Sequence, residues 1–143
     1  DGSTYEGEWA PPLPSASGGQ QGRGVRHGKG KYQNPSGDEY DGEWINDRPG
    51  GQGTYKKSGN VYTGRFLEGK FNGHGCLKWA DGSWYEGDWR EGIRHGRGQC
   101  LYPSREVYEG DWVNDLPNGT GIMLYSTGEQ YIGQFVQGAP LRG

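Results

Sequence analysis

Short stretches in which apolar and polar positions alternate recur along the chain, and each is followed by a glycine-containing turn signal. Tyr85-Glu86-Gly87-Asp88-Trp89 is representative. A period of two is that of a β-strand; it places Tyr85, Gly87 and Trp89 on one face and the two acids on the other. The stretch from Gly96 to Tyr102 alternates in the same way, with Gly96, Gly98, Cys100 and Tyr102 on one face. Between them lies Arg90-Glu91-Gly92-Ile93-Arg94, a short connection whose glycine suits a positive φ, so the pair is expected to be a hairpin. Turn signals recur before the next tyrosine at Ser36-Gly37, Ser58-Gly59, Asp81-Gly82 and Thr127-Gly128. No stretch offers a helical period, and glycine every few residues disfavours one. The expected fold class is all-β.

The hairpins repeat. Tyr-x-Gly-x-Trp/Phe begins at Tyr5, Tyr40, Tyr62, Tyr85, Tyr108 and Tyr131, with spacings of 35, 22, 23, 23 and 23. A Gly-x-Gly marker begins seven residues after the aromatic at Gly51, Gly73, Gly96 and Gly119, but nineteen after Trp9, at Gly28. The twelve extra residues account for the spacing of 35. Residues 1–143 therefore read as one array of period 23, with a flexible loop insertion over residues 10–26 of the first repeat and one single-residue deletion.

These residues resemble the MORN repeat family, whose repeat reads roughly Tyr-x-Gly-x-Trp-x-x-Gly-x-x-His-Gly-x-Gly. Tyr85 to Gly98, YEGDWREGIRHGRG, is close to that pattern at every marked position. Departures are the insertion after Trp9, Arg105 where a turn glycine is expected, and a last repeat that stops before its Gly-x-Gly. The chain opens inside a repeat without an initiator Met and so reads as a segment of something longer.

Composition says what must hold such an array together. The chain has 30 glycines, 6 Trp, 10 Tyr and 3 Phe in 143 residues, too few aliphatic residues for an ordinary core but too many aromatics and too little net charge for disorder. Tyrosine and tryptophan rings are expected to lie across the bare glycines of neighbouring strands. At ~4.8 Å per strand, stacked hairpins should then form one elongated single-layer sheet about 50 Å long. The opposite face carries rows of charge, Glu86 and Asp88 against Arg97 and Gln99 for example, whose plainest role is solvation.

Candidate chemistry is sparse. His27 and His95 occupy the same position three repeats apart, and His74 lies elsewhere in its own repeat, so no zinc site is expected and no cofactor is implied. Cys76 and Cys100 point to opposite faces on non-adjacent strands and are expected to be free thiols, which suits a reducing compartment. The carboxylates recur with the period instead of converging, so no enzyme is expected. A net charge of −3 without a basic stripe argues against nucleic acid. Pro11-Pro12-Leu13-Pro14 within the insertion is a linker with the composition of a polyproline ligand.

Proteins similar in these repeats organise cytoskeletal or ciliary assemblies such as radial spoke heads, sit at membrane contacts, or form regulatory arms of enzymes. The resemblance thus implies a protein-interaction scaffold, cytoplasmic and cytoskeletal, with a cilium or flagellum axoneme favoured. Its expected partner-binding face is the aromatic one: Tyr40, Trp44, Tyr62, Phe66, Tyr85, Trp89, Tyr108 and Trp112. Lipid head-group binding at a membrane junction is the alternative, disfavoured because 15 Lys and Arg are interleaved with 18 acids. A second surface is expected where the charged face turns apolar, at Ile122, Leu124 and Ile132, for a partner, a second copy or an end cap.

Overall fold

The computed structural model of the protein describes residues 2–11 and 24–141. Its elements are twelve strands: β1 (Thr4–Ala10), β2 (Val25–Gln33), β3 (Glu39–Ile45), β4 (Arg48–Lys57), β5 (Asn60–Leu67), β6 (Lys70–Lys78), β7 (Trp84–Arg90), β8 (Ile93–Leu101), β9 (Val107–Val113), β10 (Leu116–Leu124), β11 (Gln130–Val136) and β12 (Ala139–Pro140). They lie side by side in chain order in one open antiparallel sheet, and no described residue is helical. The expected insertion over 10–26 meets the sheet at both ends, with Ala10 paired to Val25 and Trp9 to Arg26. Residues 12–23, and with them Pro12-Leu13-Pro14, lie outside those described.

Turn chemistry differs from the sequence expectation. The connection between β7 and β8 is not five residues but two, Glu91-Gly92, both at positive φ (50° and 86°), as a type I′ turn requires. Strand β8 starts at Ile93 because its surplus residues enter a bulge. Gly87 faces Gly98 and Trp89 faces Arg94, leaving His95, Gly96 and Arg97 opposite Asp88 alone. Gly96 sits at φ +96°, and the Asp88 carboxylate accepts the Arg97 backbone N–H at 3.2 Å. Glu8, Glu43 and Asp111 accept from Lys29, Gln52 and Thr120 in the same way. These acids do more than solvate a face. They cap the bulges.

Between repeats the chain turns through longer loops, in which Gly37, Gly82, Arg105 and Gly128 hold the left-handed position. The repeat spaced by 22 turns instead through Ser58-Gly59. Arg105 at φ 76° carries the strain of a side chain in a region glycine tolerates. Arg105→Gly should therefore raise stability by about 1 kcal/mol in a urea melt; a loss would show that the arginine side chain outweighs its backbone strain.

The core is a line of glycines roofed by rings. Gly7, Gly30, Gly42, Gly53, Gly64, Gly75, Gly87, Gly98, Gly110, Gly121 and Gly133 are paired in succession across β1 to β11. The Tyr85 ring lies over Gly98, and its hydroxyl donates to the Asp88 carbonyl at 2.8 Å. Trp89 reaches the other way, its Nε1 donating to the Gly75 carbonyl at 3.1 Å. Trp44 and Trp112 do likewise to Gly30 and Gly98, both at 3.0 Å. Successive rings meet edge to face from Trp9 through to Tyr131, with centroids 4.8 to 5.7 Å apart. The favourable quadrupole geometry of such pairs adds to the area they bury.

Candidate functional site

The eight rings expected to meet a partner are interior. Tyr40, Trp44, Tyr62, Phe66, Tyr85, Trp89, Tyr108 and Trp112 are each no more than 6% exposed. In a sheet without an aliphatic core, these rings are taken up in covering the glycine line and one another, so they form a floor, reached from outside at Tyr40, Trp44 and Phe66. What reaches solvent on that face is a second tier: Tyr32, Tyr55, Phe71, Trp79, Tyr102 and Tyr125, all half-buried against the first. These stand on the second strands and in the loops after them. Their signal in the sequence is an aromatic two to four residues after Gly-x-Gly, which marks Tyr32, Tyr55, Trp79, Tyr102 and Tyr125.

Over β2 to β6 this tier encloses a groove of about 550 Å³. Tyr40, Trp44 and Phe66 floor it, Tyr32 and Tyr55 stand on one side, and Pro49 and Phe71 on the other. The residue paired with each first-strand aromatic decides whether the trough is filled. At Arg26 the guanidinium lies 4.4 Å from the Trp44 ring and its Nε is 2.7 Å from Asp47 Oδ1. Arg94 repeats this, 4.8 Å from Trp112 and 2.7 Å from Asp115. Burial alone would raise the Asp115 carboxyl, but the hydrogen bonds and charge of Arg94 hold it below the usual range. At the intervening positions stand Phe71, stacked on Tyr62 at 3.8 Å, and Pro49, which is too short to span the trough. The groove is open beside Pro49.

Its chemistry is that of an apolar binding trough. Burial pushes the Tyr40 and Tyr62 phenols well above their ordinary range, so they stay neutral and serve as hydrogen-bond donors to Glu43 and Arg65 carbonyls. Of the two cationic side chains lining the groove, Arg26 and Lys70, the first is engaged by Asp47.

The remaining candidates fall apart spatially. His27 Nδ1 accepts from the Asn46 N–H at 3.3 Å, while His74 lies on the charged face, 3.7 Å from Glu86 and 3.9 Å from Asp88. Among the described residues, no group of three or more His, Cys, Asp or Glu is placed to hold a metal ion. Cys76 pairs with Thr63 and Glu86 on the charged face, whereas Cys100 is buried beside Tyr85 and Tyr108, where desolvation pushes its thiol up to about 11. Ile122 pairs directly with Ile132, and Leu124 lies one row away on the same face.

Compared with known families, the chain matches the MORN repeat over residues 22–39, 40–61, 62–84, 85–107 and 108–130. The last four segments start at Tyr40, Tyr62, Tyr85 and Tyr108. No curated protein matches it.

Proposed function

Since the chain belongs to the MORN repeat family, whose repeats are protein- and membrane-interaction modules of a non-enzymatic type, we propose that it is a scaffold holding a protein partner in the groove over β2 to β6. One observation carries this reading: the groove is lined chiefly by aromatic rings, and one of its two cations is already paired within the chain. An extended peptide or a helix finds apolar walls there; a phosphorylated head group finds little free positive charge. The partner belongs to a large cytoplasmic assembly of the cytoskeleton, with a ciliary or flagellar axoneme such as its radial spokes favoured over a cell-cortex ring or a membrane junction. Analogy with similar repeat proteins supports that setting.

Two measurements test it. With vesicles containing phosphoinositides at about 150 mM salt, the protein should remain in the supernatant; robust, salt-resistant sedimentation would favour the lipid reading. In ciliated cells, detergent-extracted axonemes should retain the protein, and Tyr32→Ser with Tyr55→Ser should reduce retention at least tenfold. Losing two half-buried rings lowers the variant's melting temperature, so retention is compared at a temperature where circular dichroism shows it still folded. Equal retention of that variant would remove the groove from the account.

A further inference from the structure

One row of paired positions crosses the sheet on the face opposite the rings and changes character halfway along. In β2 to β6 it is formed by Gln33, Glu39, Lys56 and Lys78, with Val61 the single apolar member. In β7 to β10 it becomes Trp84, Leu101, Val107 and Leu124, each the direct cross-strand partner of the next. Ile122 and Ile132, paired to each other, extend the apolar surface one row over. Leu124 is 45% and Ile132 67% exposed, while Trp84, Leu101 and Val107 are half-buried. The array thus breaks its own polar pattern at consecutive positions, and a contiguous apolar patch of this kind marks an interface.

We infer that this stripe is a second docking surface, on the face opposite the groove, for a basic amphipathic helix of a partner protein. Direction argues for a helix. The stripe runs across the strands, and β7 to β10 are each paired on both sides, so no strand can be added there. Four strands at ~4.8 Å place the ends of the stripe about 14 Å apart, close to three helical turns of 5.4 Å. A helix with apolar residues at i, i+3, i+7 and i+10 presents a ridge of about 15 Å, close to that length. Charge argues for a basic partner. The adjoining row is Glu86, Gln99 and Glu109, and the row beyond it holds Asp88 and Asp111 against Arg97, which is already bound to Asp111 at 2.9 Å. Lys78 stands at one end of the stripe, paired with Trp84. A second copy of this chain offers no helix among its described residues, and it carries the same carboxylate-rich rows.

The probe is a synthetic 16-residue peptide (about four and a half turns) with leucines on one helical face and lysines flanking them. Its controls are a scrambled order and a version with glutamates replacing the lysines. By fluorescence anisotropy at about 150 mM salt, the leucine–lysine helix should bind at least tenfold more tightly than either control. Leu124→Lys and Ile132→Lys, made separately at exposed sites, should each weaken it at least tenfold without lowering the melting temperature. Tyr32→Ser with Tyr55→Ser should leave it unchanged, which separates this surface from the groove. The inference is overturned if the wild-type chain prefers no peptide over its controls, or if both lysine variants, folded, bind undiminished. It is equally overturned if sedimentation shows self-association that Leu124→Lys abolishes, because the stripe then belongs to a second copy.

Discussion

Replacing Gly98 with alanine should lower the free energy of unfolding by about 3 kcal/mol or more. The sign is the informative part. Gly98 lies in the middle of β8, outside the left-handed region, and at such a position a methyl group ordinarily gains about 0.5–1 kcal/mol by restricting the unfolded chain. Here the added carbon would overlap Tyr85 at Oη, Cε1 and Cζ. That ring has nowhere to go. It is fully buried, tied by its hydroxyl to Asp88, and held at 5.0 Å by Trp89 on one side and at 5.0 Å by Trp112 on the other. Alanine must therefore expel the ring or bend the strand. Urea denaturation checks the value, and removing the ring as well, in Tyr85→Ala/Gly98→Ala, should make the Gly98 substitution nearly neutral.

Trp89→Ala should be as damaging, by about 3–5 kcal/mol, the range for deleting a buried aromatic side chain. Trp89 is 6% exposed, contacts Tyr62, Phe71 and Tyr85 edge to face, and bonds the Gly75 carbonyl one strand back. Because each repeat is stabilised only by its neighbours, the loss falls in the middle of the ladder and should also uncouple its halves, broadening the transition. Trp9 provides the contrast: it is 54% exposed at the first strand, and Trp9→Ala should cost about 1 kcal/mol or less. A cost for Trp89→Ala below about 1 kcal/mol would return that ring to the role of partner contact.

The sequence announced the array because its markers are local. Tyr, Gly and Trp at spacing two, Gly-x-Gly seven residues later and a turn glycine beyond specify a strand, a face and a reversal without knowledge of anything distant. Rings lying on glycines followed from the same spacing. Exposure did not, since alternation identifies a face but not what covers it. That is why Tyr85 and Trp89 read as a binding surface when they are the core. The bulge was hidden for a related reason. It depends on Gly87 facing Gly98 while Trp89 faces Arg94, a relation between strands that no single strand displays. The apolar stripe was half visible: Ile122, Leu124 and Ile132 stand close in sequence, whereas Trp84, Leu101 and Val107 join Leu124 only through cross-strand register. Repeat-internal coupling was legible in principle. Arg26 and Arg94 are each followed 21 residues later by an aspartate in an Asn-Asp turn, Asp47 and Asp115, while Pro49, Phe71 and Pro117 are followed by a turn with glycine.

The most direct test of the ring-roofed glycine line is hydrogen exchange at the indole nitrogens, followed by ¹H–¹⁵N correlation spectra of the native protein. Trp44, Trp89 and Trp112 donate their indole N–H to the carbonyls of Gly30, Gly75 and Gly98 from positions closed to water. Their three signals should therefore exchange only through cooperative opening of the sheet, far more slowly than Trp9. Equal and rapid exchange of all four would mean that the aromatic face is open to solvent, and that the glycine line is not what the rings cover.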